Sequence, residues 1–296
     1  MRRPDRASPP FDLSQARVTV VLNRAAGGVD SRAEAVLRDI FEAAKIPHAP
    51  IVCTDRSDLH EKLEGALDDS DVLVLLAGDG TISAAANLCG EKGTMLVPLP
   101  GGTMNVLSRA LYGHVPWAEV LRRVLSASTP QILSGGRTGG RLFLVSAILG
   151  VPSRWTEARE ALRSRHLGAG LRLIADALGR PFPEDLHYRF GSDASGYARA
   201  VAVRCPVASR VLDADAPTLE AAAIDPKSAA QAVGLGVNAL FGRWRDDPQI
   251  KVALATDILI DRPGGVPAIL DGESTTLPDK THVVFEPGAL SVLVPA

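Results

Sequence analysis

Two stretches of the chain carry the residue types that hold phosphate. Ala77-Gly78-Asp79-Gly80-Thr81 and Pro100-Gly101-Gly102-Thr103-Met104-Asn105 each cluster glycines at the end of an apolar run. Glycine lets backbone approach a ligand closely and adopt positive φ. A helix opening straight after such a turn offers free N–H groups and the positive end of its dipole to an anion. Asp79 is the odd member, because a carboxylate repels phosphate. Its charge makes sense if a divalent cation bridges it to the phosphates, if it orients backbone and neighbouring groups, or if Gly-Asp-Gly serves only as a tight turn. Thr103 can offer its hydroxyl to a phosphate oxygen or to the helix that begins at Val106, and Asn105 can read a ligand or cap that helix. Two such turns in tandem read as one nucleotide-phosphate site at the carboxyl edge of a parallel sheet.

A third candidate lies near the end of the chain. Asp271-Gly272-Glu273 places two carboxylates around a glycine just past an apolar run, which suits a catalytic base or a metal ligand, and equally a plain hairpin turn. Asp213 and Asp215 could hold a cation or form a solvated turn. His48, His60, His114, His166, His187 and His282 show no ligand spacing. Ser31, Ser83 and Ser146 lack a GxSxG context for acyl transfer. The segment after Trp155 carries Arg159, Arg163, Arg165, Arg172 and Arg180 against Leu162, Leu171, Leu173, Ile174 and Leu178. That pattern fits either anionic lipid head groups or packing on its own domain.

The elements that must position these residues follow from periodicity. Arg17–Leu22, Ala49–Cys53, Val72–Leu76 and Met95–Leu99 read as strands. Ser31–Ala44 and Asp58–Leu67 read as helices between them, and the alternation continues through Ser126. Such alternation specifies a doubly wound layer on a parallel sheet. The pattern then changes. Leu142–Leu149, Leu186–Phe190, Ala198–Arg204, Thr218–Ile224, Ile250–Ile260, Ala268–Leu270, His282–Phe285 and Leu290–Val294 read as short strands, with helices at Trp155–Leu178 and Ala229–Phe241. Met1–Gln15 reads as a loose tail. The expected fold is an α/β N-terminal doubly wound parallel-sheet domain over 16–130, plus a β-rich, sandwich-like C-terminal domain over 131–296 whose last strand can return toward the first.

Composition narrows the classes. A chain of 296 residues is comfortable for two domains. A net charge of −2 argues against nucleic-acid binding by bulk charge. Cys53, Cys89 and Cys205 are far apart and unpaired in sequence, which fits a reducing cytoplasm. No signal peptide follows the basic start, and no apolar stretch nears the ~20 residues of a membrane span.

Together the motifs resemble the diacylglycerol kinase catalytic-domain family, the group that includes bacterial soluble lipid kinases and the sphingosine and ceramide kinases. Ala77–Thr81 is similar to its GGDGT, with alanine first. Asn23-Arg24-Ala25-Ala26-Gly27 is similar to its opening NPxSG, matched at Asn23 and Gly27. Pro98–Asn105 is similar to PxGTxN with two residues inserted, and Asp271-Gly272-Glu273 to the late DGE. The motifs run in the right order over nearly the whole chain. The resemblance implies a two-domain kinase using ATP and Mg²⁺. By motif match, Asn23, Gly27, Thr54, Gly78, Asp79, Gly80, Thr81, Gly102, Thr103 and Asn105 would bind nucleotide or its metal. Glu273 would be the general base toward a lipid hydroxyl, with Asp271 supporting it and Asp79 contributing to catalysis. Asp79 and Asp215 are the metal-ligand candidates. Diacylglycerol is the first acceptor expected, met at a membrane surface; peripheral membrane contact and a homodimer are further expectations, and nucleic acid is not one.

The departures from the pattern are specific. Arg24 stands for proline and Ala77 for glycine. Gly150-Val151-Pro152-Ser153-Arg154-Trp155 replaces a GxDA-like stretch, and the family's second-domain metal loop has only an echo in Asp213–Leu219. Two other readings share the phosphate turns: a kinase of a soluble acceptor such as NAD, and a non-catalytic nucleotide- or lipid-binding relative.

Overall fold

The structure is a computed structural model, and it describes residues 10–47, 51–54, 59–150, 186–192, 194–225 and 250–296. The expected helices at Trp155–Leu178 and Ala229–Phe241, with the arginines of the first, lie outside the described residues, as do His48 and His166. Two compact units divide the chain: residues 1–134 with 287–296, and residues 135–286.

The first unit is built on parallel strands β1 (Val18–Asn23), β2 (Val52–Thr54), β3 (Val72–Ala77) and β4 (Met95–Pro100) in the order β2-β1-β3-β4. Every residue of β1 and β3 is buried, as in strands covered on both faces. Helices α1 (Ala33–Ala44), α2 (Leu59–Leu67), α3 (Asp79–Lys92), α4 (Val106–Tyr112) and α5 (Trp117–Ser126) supply the cover. Val18, Val20 and Leu22 of β1, and Val72, Val74 and Leu76 of β3, share one core with Leu37 and Phe41 of α1 and Leu121 and Val124 of α5. The alternate residues Leu73 and Leu75 are equally buried and point to the opposite face, where α2 and α3 pack together. The doubly wound reading of this region holds. The strand order reverses between β1 and β3, which makes the carboxyl ends of those two strands the place where a ligand fits. Residues 10–15 are more ordered than a loose tail: the Phe11 N–H bonds Ser128 O at 2.8 Å and Leu13 is buried.

The second unit is strand-rich, as expected. The strands that follow α5 are β5 (Ser128–Thr138), β6 (Arg141–Phe143), β7 (Ser146–Leu149), β8 (Leu186–Phe190), β9 (Ala194–Ala198), β10 (Ala200–Arg204), β11 (Leu219–Ile224), β12 (Ile250–Ala255), β13 (Asp257–Asp261), β14 (Val266–Leu270), β15 (Glu273–Leu277) and β16 (Lys280–Pro295). The division between units passes through β5 and β16. One antiparallel sheet runs β12-β11-β10-β7-β14-β15; in the other, β13 pairs with both β8 and the start of β16, and β8 pairs with β9. Phe143, Leu149, Tyr188, Val201, Ile258, Leu270 and Val283 meet in one core between them. The far end of β16 belongs to the first unit, where Val292 pairs with Leu96 of β4.

Four expected strands differ in extent. The apolar run 142–149 is two strands, because residues 144–146 turn their N–H groups toward a carboxylate instead of a ladder. The run 250–260 breaks at Thr256, so that β12 and β13 join different sheets. The two pieces at 282–294 are the single strand β16, and the polar stretch after Gly272, read as a turn, is β15.

Candidate functional site

In the first unit, three glycine corners interlock at the carboxyl ends of β1, β3 and β4. The first, Asn23–Gly28, follows β1; the Gly28 N–H donates to Gly101 O at 2.8 Å. The second, Ala77–Thr81, follows β3; Ala77 O accepts from the Gly101 N–H at 2.9 Å. The third, Pro100–Asn105, therefore lies between the other two. Only glycine permits this approach: a Cβ on Gly101 would stand 2.9 Å from Ala77 N, and one on Gly102 would stand 2.8 Å from Gly78 Cα. Gly28 and Gly101 are absent from the residues chosen by motif, yet they make the bond that joins the first corner to the third. The signal in the sequence was a pair of adjacent glycines in both corners.

The side chains brace this backbone. Asn23 is buried; its amide nitrogen donates to Thr81 Oγ1 at 2.9 Å and its oxygen accepts from the Ala25 N–H at 2.9 Å. Asn23 thus fixes its own turn and ties it to the first turn of α3. Thr81 is buried beside it, and its hydroxyl hydrogen remains for another acceptor. Thr54 is buried on β2 and pairs with Asn23 in the parallel ladder. Asn105 sits in the left-handed region at φ 53°. Its Oδ1 accepts from Gly102 N at 2.7 Å and its Nδ2 donates to Gly102 O at 2.9 Å, so it clamps both backbone groups of one residue rather than capping α4.

The cap of α4 comes from elsewhere. Asp79 Oδ2 accepts from Asn105 N at 2.9 Å and Oδ1 from Val106 N at 2.5 Å. Of the roles open to this carboxylate, orienting neighbouring backbone is the one these bonds express. The N-cap residue of α3 is Gly78, with no side-chain cap, so the first N–H groups of that helix face the corner without a competing side chain. Gly80 and Thr103 are exposed, Gly78 and Gly102 half-buried. Beside Gly27 the nearest atom to an added Cβ would be Thr103 Oγ1 at 3.8 Å, and beside Gly78 it would be Gly102 Cα at 3.7 Å. Both distances are ordinary van der Waals contact, so neither glycine is crowded, and glycine-turn backbone with neighbouring threonine hydroxyls suits phosphate oxygens.

Arg24, in the first corner, bonds Glu34 at 2.6 Å, and Glu34 also takes Arg38 at 3.3 Å and the Cys53 thiol at 3.4 Å. The hydrogen bond from Arg24 holds the Glu34 carboxyl below its usual range, while burial raises the Cys53 thiol. At the opposite, amino-terminal edge of the sheet a cavity of about 810 Å³ is lined by Arg17, Asp68, Asp71 and Lys92 among others. Its charges are paired with each other, Arg17 with Asp71 at 2.9 Å and Lys92 with Asp68 at 2.6 Å.

In the second unit Asp271-Gly272 forms the two-residue turn between β14 and β15, with Leu270 paired to Glu273. Both turn residues have positive φ, 44° and 86°, as a type I′ hairpin requires. Asp271 is buried. Its carboxylate accepts from Leu144 N at 2.6 Å, Val145 N at 2.9 Å and Ser146 N at 2.8 Å. Nearby, Cys205 is pushed well above the ordinary thiol range by burial and then by the Asp271 charge. Glu273 is half-buried at the start of β15. Asp215 is exposed in a turn. Among the described residues no group of three or more His, Cys, Asp or Glu gathers as a metal site, and no helix is long and apolar enough to cross a membrane.

Residues 17–134 match the model of the diacylglycerol kinase catalytic domain. Solved structures resemble the chain over nearly its whole length. A candidate diacylglycerol kinase from Bacillus anthracis str. Sterne is 20% identical, with a TM-score of 0.71 over 95% of this chain and 98% of that one. A crystal structure of a diacylglycerol kinase from the same strain is 17% identical, with a TM-score of 0.68 over 95% and 97%. At such identities the likeness is one of fold. The match to the diacylglycerol kinase catalytic-domain model covers all three glycine corners.

Proposed function

We propose that the protein is an ATP- and Mg²⁺-dependent lipid kinase that transfers the γ-phosphoryl group to a lipid hydroxyl, with diacylglycerol as the first acceptor to test. The observation that carries the reading is the interlock of three glycine corners at the point where the strand order reverses. Phosphoryl transfer asks a protein mainly for positioning and for neutralising charge. Backbone N–H groups of the corners, with the hydroxyls of Thr81 and Thr103, hold the phosphate oxygens. Asn23, Thr54, Asn105 and Asp79 keep the corners in register. Gly27, Gly78 and Gly80 bring backbone to the phosphates with no side chain of their own, and Gly102 lets the third corner pack against Gly78.

The donor set also fits a magnesium ion. Asp79 is a half-buried carboxylate beside the corners, the donor type this ion takes. Mg²⁺ commonly takes one or two carboxylates together with substrate phosphates and water. Asp79 would hold it, and the ion when bound supplies charge neutralisation at the β- and γ-phosphates. In the second unit, residues 135–286, Glu273 takes the proton of the acceptor hydroxyl, and Asp271 fixes the hairpin that carries Glu273. A lipid acceptor implies work at a membrane surface, by peripheral contact from the cytoplasmic side.

A lipid-panel assay tests this. Purified protein with labelled ATP and Mg²⁺ is given diacylglycerol, monoacylglycerol, sphingosine or ceramide in mixed micelles, and NAD in a parallel arm. Transfer to one lipid, lost in Glu273→Ala, is the expected result. Transfer to NAD alone identifies a soluble acceptor. ATP binding without transfer to any acceptor identifies a non-catalytic relative.

A further inference from the structure

We infer that the loop between β10 and β11 is shaped by a hydrogen-bond relay from the buried carboxylate of Glu220 through Ser209, and that this relay stands where the resemblance above implies a divalent cation. Asp213–Leu219 is the only echo of that metal loop in the sequence. Glu220 lies on β11, 1% exposed, and faces Arg204 of β10 in the antiparallel ladder. A carboxylate so deeply buried has to be hydrogen-bonded. Ser209 Oγ donates to Glu220 Oε2 at 2.7 Å. The same Oγ accepts the N–H of Val211 and the N–H of Leu212, both at 3.2 Å. A serine hydroxyl has one donor and two acceptor places, so these three bonds fill it. A single 3-10 turn, Pro206–Ala208, leads the chain into the node, and Ser209 N closes that turn on Cys205 O at 3.1 Å. Further along, the Ala216 N–H returns to Asp213 O at 3.0 Å. The loop is tied to β11 by the chain's own groups.

The donors around the loop do not suit a cation. Mg²⁺ asks for about six oxygens in near-octahedral order, and Ca²⁺ for at least as many. Asp213 and Asp215 are exposed. Glu220, the next acid along the chain, already gives one oxygen to Ser209 and is buried away from water. The Ser209 hydroxyl has no lone pair left to offer. Among the described residues, no three of His, Cys, Asp or Glu converge as a metal site. On the kinase reading, the Mg²⁺ requirement of transfer is then confined to the nucleotide corners.

Amide hydrogen exchange of the whole chain, followed in peptides across 205–225, is the test. It is run without nucleotide or lipid, so it does not depend on the kinase reading. Wild type should exchange identically over 209–218 in EDTA and in excess Mg²⁺. Ser209→Ala should let the Val211 and Leu212 amides exchange about tenfold faster, whereas Ser209→Thr keeps the hydroxyl and should stay near wild type. Protection of 209–218 that rises with Mg²⁺ would overturn the inference, as would unchanged exchange in Ser209→Ala. If the alanine variant does not fold, Ser209→Cys, whose thiol is a weak donor and acceptor, is read on the same terms. Mg²⁺ held at Asp79 would show in peptides of the first unit and leave this loop unmoved. Failure of the proposed nucleotide site and failure of this inference are therefore told apart.

Discussion

Asp79 and Asp271 lie in different units, one after a parallel strand and one in an antiparallel hairpin, yet both spend their carboxylates on backbone. Asp79 collects the N–H groups of Asn105 and Val106; Asp271 collects those of Leu144, Val145 and Ser146. In each case a turn is locked to a segment remote in sequence by an acceptor-only group that a turn of N–H donors satisfies well. The difference is burial. Asp271 is 7% exposed, whereas Asp79 is half-buried at the edge of the site. Acid signatures that read as chemistry in a sequence can thus be the bolts that hold the chemistry in place. The buried bolt belongs to stability and the half-buried one to geometry.

That contrast predicts the largest effect for Asp271→Ala. Three N–H groups would lose their shared acceptor, and each unsatisfied buried donor costs about 1–3 kcal/mol. A loss on the order of 3 kcal/mol or more is expected, read as a clear fall in the urea midpoint of unfolding. Asp271→Asn retains one acceptor oxygen and should lose less. A midpoint within error of wild type in the alanine variant would break the comparison.

Asp79→Ala should cost less in stability, about 1 kcal/mol, the size of a lost helix cap. On the proposed reading it should cost more in turnover: loosening the third corner against the second misplaces phosphate-facing groups, and misplacement by about 1 Å can lower rates ~100-fold. Measured kcat beside the urea midpoint gives both numbers. A variant with normal kcat and a large stability loss would reverse the roles assigned to the two aspartates.

The glycines sharpen the same point at the scale of one methyl group. Gly102→Ala places a Cβ 2.8 Å from Gly78 Cα, so two backbones must part, and both folding stability and ATP affinity should fall. Gly27→Ala meets nothing nearer than 3.8 Å. It should leave the thermal midpoint unchanged and weaken ATP alone, because its methyl group occupies the room claimed for phosphate. Unchanged ATP affinity in Gly27→Ala would move the phosphates away from the first corner.

How much of this was readable in advance follows from range. The corners were legible because their signals are local: a buried strand is an unbroken branched-apolar run, and glycines punctuate its end. Position in the chain sufficed for α3 and α4. The bolts were not legible. Asp271 reaches amides 125 to 127 residues earlier, and no spacing announces that. The same bond is why one apolar run, 142–149, became two strands. Asn105 was weighed as a cap or a ligand reader; its left-handed backbone turns its amide back on Gly102, and the cap comes from Asp79, 26 residues earlier.

A third aspartate completes the series at its exposed end. Asp71 accepts the Arg17 N–H at 2.9 Å and pairs with the Arg17 guanidinium at 2.9 Å, at the amino-terminal edge of the sheet in the first unit. It holds backbone as the other two do, but in water. The guanidinium bond first, and then the backbone bond, lower its carboxyl to about 2. A carboxyl depressed in the folded state contributes stability that is present above its unfolded value, near 3.9, and is lost as pH falls toward the folded value. Unfolding midpoints of wild type and Asp71→Asn should therefore differ slightly at neutral pH and converge between about pH 4 and pH 2. Solvent screening keeps the difference the smallest of the three. A gap that widens on acidification would mean that Asp71 is not the group being titrated. A gap at neutral pH as large as that of Asp271→Ala would show that burial is not what separates these three carboxylates.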